Sequence, residues 1–275
     1  QTLESPRAAI NSGDTRFIQF SQNDKTLTAI TSTSNSLMVT TWEVGSWREL
    51  RTVELPSSSI DDQEVAVAIT GDATKLAAVV SGVAGAARSV VITFDLTTGK
   101  ELHSFSLANQ LINNAAVSFT SDGQLFVSAS VGRQWKLWQA SSSEQERVLD
   151  QTTDEYCSLQ FSHVGRLLAF VQGNTVKLWN VAERHSLTSL LLTKNEVGAA
   201  QFPPVVSFSD DGRSVATSGS GYPTTVFETK SGKQLLKLNG RTNPAYNVSF
   251  SNDGTRVFSG GRTSWDVRTG HGPRL

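Results

Sequence analysis

The sequence predicts an all-β chain: a β-propeller of six four-stranded antiparallel blades. Three observations predict it. A Phe-Ser-x-Asp-Gly turn recurs along the chain, and a second aromatic follows each copy in step. No stretch keeps the 3.6-residue period of an amphipathic helix.

The turn is clearest as Phe119-Thr120-Ser121-Asp122-Gly123, Phe208-Ser209-Asp210-Asp211-Gly212 and Phe250-Ser251-Asn252-Asp253-Gly254. Looser copies start at Phe161, Ile69 and Phe20. The anchors Phe20, Ile69, Phe119, Phe161, Phe208 and Phe250 recur at intervals of 42 to 50 residues. The second anchors are Trp42, Phe94, Trp138, Trp179, Phe227 and Trp265, which follow by 15 to 25 residues. Two registers in step over six copies are the signature of a repeat architecture, so residues 1–275 read as a single propeller domain.

Each repeat reads as four short strands. Ala115–Phe119 is a first strand, and a polar Asp-Gly turn then signals a hairpin. Arg166–Val171 is an apolar second strand, Thr175–Trp179 a third ending on its aromatic, and Lys233–Leu238 a more polar fourth. A lone small sheet exposes faces and edges. Radial stacking buries the faces, and closing the ring protects the end blades. With only His271 to Leu275 after Gly270, the last repeat is expected to take its fourth strand from elsewhere. From the last leucine of a fourth strand to the next anchor the chain takes 12 to 18 residues, and Leu3 to Phe20 takes 17. Gln1 to Ser5 are therefore expected to close the ring as the outer strand of blade six.

These residues resemble the WD-repeat family. Trp138-Gln139, Trp179-Asn180 and Trp265-Asp266 stand at the ends of third strands, and Val176-Lys177-Leu178-Trp179-Asn180-Val181 fits the pattern closely. Trp265-Asp266 is the literal dipeptide; Asp95 follows Phe94, and Glu43 and Glu228 stand in elsewhere. The family's Gly-His pair before the first strand is missing from all six repeats, and Gly270-His271 lies after the last aromatic anchor. The buried polar set built on that histidine is expected to be incomplete, with apolar packing in its place.

Composition narrows the function. With 24 basic and 25 acidic residues, well mixed, the chain offers no field for nucleic acid. The most apolar run, Leu76 to Ala87, is far shorter than the roughly 20 residues that span a bilayer, so no membrane partner is expected. One cysteine, Cys157, excludes an intrachain disulfide and a multi-cysteine metal site, and favours a reducing, cytoplasmic setting. His103, His163, His185 and His271 lack metal-ligand spacing. His163 and His185 fall in two turns on one side of the fourth repeat and read as solvated. Asp210-Asp211 lies in a hairpin turn, where such side chains cap the turn. Trp135, three before Trp138, reads as core, and Trp47 as a turn residue. No phosphate loop, dinucleotide fingerprint or nucleophile elbow occurs. No catalytic residue, metal or cofactor is expected.

The resemblance implies a non-catalytic module that binds a protein or peptide, as part of a larger multidomain protein. The alternative is a propeller enzyme or cofactor-binding domain, lactonase-like or dehydrogenase-like, with its site at the central channel. In a four-stranded meander the first–second and third–fourth turns share one end of the blade. The other end carries the irregular loops, where binding residues concentrate. Tyr and Arg are enriched at interface hot spots. The candidates on that end are Arg133, Tyr156, Tyr222, Arg241, Tyr246 and Arg262.

Overall fold

A computed structural model describes residues 14–20, 25–32, 36–56, 64–81, 89–108, 112, 115–120, 122–131, 134–139, 147–151, 158–163, 165–193, 204–219, 221–238, 247–251, 253–260 and 263–272. Among them there is no helix, and the strands form six small antiparallel sheets. The first sheet is β1 (Asp14–Phe20), β2 (Thr26–Ser32), β3 (Ser36–Glu43) and β4 (Glu49–Pro56). The second is β5 (Glu64–Ile69), β6 (Lys75–Ser81), β7 (Ser89–Asp95) and β8 (Lys100–Ala108). The third is β9 (Ala115–Phe119), β10 (Leu125–Val131), β11 (Gln134–Gln139) and β12 (Arg147–Gln151). The fourth is β13 (Leu159–Phe161), β14 (Leu167–Gln172), β15 (Thr175–Asn180) and β16 (His185–Leu191). The fifth is β17 (Val205–Phe208), β18 (Ser214–Gly219), β19 (Tyr222–Glu228) and β20 (Gln234–Leu238). The sixth, with three strands among the described residues, is β21 (Val248–Phe250), β22 (Arg256–Ser259) and β23 (Thr263–Asp266). In every sheet the strands pair in chain order, a meander. Gln1 to Ser5, the expected closing strand, lie outside the described residues.

The two anchor series explain the register. Each first anchor is the last residue of a first strand, and each second anchor is the penultimate residue of a third strand. The pairing sets them in one row across the sheet: Phe20–Leu27–Trp42, Ile69–Leu76–Phe94, Phe161–Leu168–Trp179, Phe208–Val215–Phe227 and Phe250–Val257–Trp265. A one-residue slip would turn every aromatic to the opposite face. The register also shifts between the third and fourth strands at Trp42, Phe94, Trp179 and Phe227. Such a bulge bends and twists the outer strand.

By packing, the chain divides into two compact units, Gln1–Val127 with Trp138–Gln145, and Ser128–Leu137 with Glu146–Leu275. In the first unit, Ile30, Val39 and Leu55 of the first sheet pack on Ile69, Leu76, Val80, Ile92 and Phe94 of the second. In the second unit, strand alternation gives the fifth sheet two buried faces. Val206, Phe208, Val215 and Phe227 meet Ala169, Val171, Val176, Leu178 and Leu190 of the fourth sheet. Ala216, Val226 and Leu238 meet Val248, Val257 and Trp265 of the sixth. Trp135 is core, as its spacing predicted: it is fully buried, with its ring centroid 5.9 Å from that of Phe170. First strands of successive sheets lie side by side within each unit, β5 with β9, and β13 with β17 and β17 with β21. Within each unit, successive sheets are thus neighbours through their first strands.

Apolar packing is not the whole interior. The expected gap in buried polar groups is partly filled by hydroxyls. Thr28 Oγ1 and Thr41 Oγ1 lie 3.0 Å apart, buried in the first sheet. Ser218, Thr224 and Ser259 form a second buried set. Strand-forming Thr and Ser can satisfy one another across a sheet, so a chain without the usual histidine still buries polar groups in pairs.

Candidate binding face

At one end of the sheets lie the first–second and third–fourth turns, and among the described residues Ser, Thr, Asp and Asn side chains hold them. In the first–second turns of the second, third, fifth and sixth sheets a Ser or Thr hydroxyl reaches the Asp two residues on. Thr70 Oγ1 donates to Asp72 Oδ1 at 2.6 Å, Ser209 Oγ to Asp211 Oδ1 at 2.7 Å and Ser251 Oγ to Asp253 Oδ1 at 2.6 Å; Thr120 and Asp122 make the same contact. The hydroxyl also accepts a backbone N–H from Lys75, Gln124, Ser214 or Arg256. The carboxylate accepts the N–H of Thr74, Arg213 or Thr255. Hydrogen bonds to the charged form favour it. The neighbouring Ser251 hydroxyl and Thr255 amide hold Asp253 down to about 2. Thr70 and Thr120 hydroxyls lower Asp72 and Asp122. At Asp211 partial burial works upward, and the Arg213 amide and Ser209 hydroxyl outweigh it. Asp210-Asp211 is thus a turn cap plus a surface carboxylate 3.8 Å from His163.

The third–fourth turns use the acid after the second anchor. Asp95 Oδ1 accepts from Thr97 N at 2.6 Å, and Asp266 Oδ1 from Arg268 N at 2.9 Å and Thr269 N at 3.0 Å. Thr97 lowers Asp95, and the Thr269 and Arg268 amides lower Asp266. Asn180 Oδ1 takes the same part with Glu183 N at 2.9 Å. Glu43 and Glu228, one carbon longer, instead accept from the hydroxyls of Ser46 and Ser231. Four residues after the acid comes a left-handed backbone position: Gly99, Gly232 and Gly270 in three turns, but Trp47 (φ 55°) and Arg184 (φ 58°) in two. Gly232 and Gly99 are needed for space as well as for φ. A Cβ at Gly232 would sit 2.9 Å from Thr188 Oγ1, and one at Gly99 would sit 3.1 Å from Val53 Cγ1. His163 and His185, expected on one side of the fourth repeat, each face an acid. His185 Nε2 lies 2.7 Å from Glu183, and its pKa is raised by the Ser186 carbonyl and then by Glu183.

The sequence assigned the binding residues to the other end. Arg133, Tyr156, Arg241, Tyr246 and Arg262 lie outside the described residues, as does Cys157. Tyr222 is described, and it is 4% exposed. Its ring belongs to the core between the fourth and fifth sheets and lies 3.5 Å from where a Cβ on Gly219 would be. That same Cβ would meet Pro204 Cα at 3.0 Å, so Gly219 lets the incoming segment cross tightly over β18. Tyr222 therefore anchors this end from beneath, where it was expected on the surface. Its place was hidden because the flanking Gly219 and Gly221 read as an open loop. Among the described residues, no group of three or more His, Cys, Asp or Glu could hold a metal ion. Nor is any helix there long and apolar enough to cross a membrane.

Comparison with known proteins bears on these turns. The family described as "WD domain, G-beta repeat" matches residues 99–139 and 232–266. Each match begins at a left-handed turn glycine, Gly99 or Gly232. It runs through the fourth strand of one sheet and the first three of the next. Autophagy-related protein 16 of Arabidopsis thaliana is 24% identical over 170 residues, covering 60% of this chain and 32% of its own length. Protein tipD of Dictyostelium discoideum is 28% identical over 135 residues, covering 47% of this chain and 21% of its own. The chain thus spans a third or less of the length of these relatives.

Proposed function

We propose, for a chain that carries WD repeats of the G-beta type, a non-catalytic scaffold module that binds a protein or peptide within a larger multidomain protein. The observation that carries this reading is the use of the turn acids. Asp72, Asp95, Asp122, Asp211, Asp253 and Asp266 each cap the turn that holds them. A carboxylate held ionised by two or three local donors is a poor general acid. The finer reading of the fold is one domain of six blades, with Gln1 to Ser5 closing the ring. The proposed setting is cytoplasmic, with no cofactor, nucleic acid or membrane partner.

The partner docks on the end with irregular loops, through Arg133, Tyr156, Arg241, Tyr246 and Arg262, while Tyr222 supports that end from the core. One relative is named autophagy-related, so the first partners to try are proteins of the autophagy machinery. The test is a pull-down with the chain as bait, read by mass spectrometry and followed by calorimetry on each hit. Arg133→Ala with Arg262→Ala should weaken a true partner at least tenfold and leave the melting curve unchanged. Unchanged affinity, with loss on Lys230→Ala, would move the site to the turn end. A stoichiometric metal or substrate turnover would favour the enzyme alternative.

A further inference from the structure

The fifth sheet breaks its own repeat at two buried positions. Ten residues after the first anchor the first four sheets carry Ile30, Val79, Ala129 and Val171; the fifth carries Ser218. Three residues before the second anchor they carry Val39, Val91, Trp135 and Val176; the fifth carries Thr224. All eight apolar residues are buried or in strand interiors, so both exchanges put a hydroxyl where the pattern asks for hydrocarbon. Ser218 shares its strand face with Ala216, and Thr224 with Val226, the residues that meet the sixth sheet. Opposite them, Ser259 shares the face of Val257.

The three hydroxyls meet. Ser218 Oγ lies 2.9 Å from Thr224 Oγ1 and 2.9 Å from Ser259 Oγ, and Thr224 Oγ1 lies 3.1 Å from Ser259 Oγ. All three residues are buried. Three hydroxyls own three protons, and a closed ring of three bonds uses all of them. Thr224 donates to Ser259, Ser259 to Ser218, and Ser218 to Thr224. Each oxygen donates once and accepts once, so no proton is stranded. A polar network is stabilising in a core only when every member is satisfied. Hydrophobic burial is non-directional, whereas this ring closes in one relative placement of the two sheets.

The sixth sheet needs such a fastening. Its strands are three, four and four residues long, shorter than those of the first and second sheets. Of β22, Val257 and Ser259 are buried, while Arg256 and Phe258 are exposed. A sheet of strands this short, with alternate residues of β22 exposed, has a low free energy of local opening. We propose that the Ser218–Thr224–Ser259 ring is the latch that holds the sixth sheet on the fifth, and that the sixth sheet opens separately when the ring is broken.

Hydrogen exchange of the full chain, read by mass spectrometry at pH 7, tests this. In Ser259→Ala the amides of residues 248–266 should exchange at least tenfold faster, as expected when two of the three ring bonds are lost and the Thr224 hydroxyl is left with an idle proton. Those of residues 167–180 in the fourth sheet should keep their rates. Thr224→Val should do the same from the other sheet. The triple variant S218A/T224V/S259A leaves no hydroxyl stranded and should regain most of the protection. Equal acceleration in both regions, no acceleration in either single variant, or a triple variant worse than both singles together would each overturn the latch.

Discussion

Thr217 is the described hydroxyl for which the fold has no use, and removing it should make the protein more stable. Its side chain is 1% exposed, and Thr217 Oγ1 has no hydrogen-bond partner among the described residues. It stands on the face of β18 that carries Val215, against the core of the fourth and fifth sheets. Thr217→Val replaces the hydroxyl with a methyl of nearly the same shape and keeps the β-branched strand preference. A buried polar group without a partner costs about 1–3 kcal/mol. The added buried methyl contributes roughly 0.8 kcal/mol. Allowing for residual relaxation around the site, the expected gain is about 1–2 kcal/mol. The control lies directly opposite. Thr225 pairs with Thr217 across the sheet, is also buried, and donates to Pro223 O at 3.1 Å. Thr225→Val loses that bond, so it should destabilise by about 1 kcal/mol. Urea titration by tryptophan fluorescence reads both, with the midpoint rising for one variant and falling for the other at constant slope. If Thr217→Val lowers the midpoint, its hydroxyl has a partner and the reasoning fails.

Three further outcomes follow from the same geometry. The six capping aspartates are held below their ordinary pKa when folded, Asp253 at about 2. Their stabilisation is therefore complete above the unfolded value of about 3.9 and is lost as pH falls through the folded values. An acid titration by circular dichroism should show unfolding between about pH 4 and 2, and a flat signal there would contradict the capping. Trp179→Ala should cost roughly 3–5 kcal/mol, as for a large aromatic in a packed core. Trp47→Gly, which relieves a left-handed residue in a turn, should change stability by no more than about 1 kcal/mol; equal losses would refute the anchor register. Gly232→Ala should destabilise more than Gly254→Ala in thermal melts. Both have positive φ, but a Cβ at Gly254 meets nothing within 4 Å, while one at Gly232 meets Thr188.

What could be read from the sequence was what the turns dictate. The Phe–Asp-Gly and aromatic–acid pairs fixed where strands end, because each sits beside a turn whose hydrogen bonds are made within five residues. The strand beginning at Thr175 and the one ending at Leu238 were placed for that reason. Trp135 was legible as core because both faces of a stacked sheet are buried. Tyr222 was not, because a tyrosine between glycines carries no mark of which way its ring turns. The hydroxyl ring was not legible either. Ser and Thr are ordinary strand residues, and only the third dimension sets Ser259 beside Ser218, 41 positions apart. The binding residues other than Tyr222 lie outside the described residues, and their role is a proposal.

The self-contained turns bear on how such a chain could grow. A turn capped by its own Ser or Thr and its own Asp borrows nothing from its neighbours, so a duplicated copy arrives with its corners already made. The strands between can then drift, provided an aliphatic residue still meets each aromatic. This accounts for a chain in which Ile69 can replace a phenylalanine, and Phe94 a tryptophan, while the polar corners persist. The Ser218–Thr224–Ser259 contact is of the opposite kind. It is shared between two adjacent copies, and duplicating either copy alone would leave hydroxyls facing hydrocarbon. Such a junction resists insertion, and new copies would enter this lineage more easily elsewhere in the array.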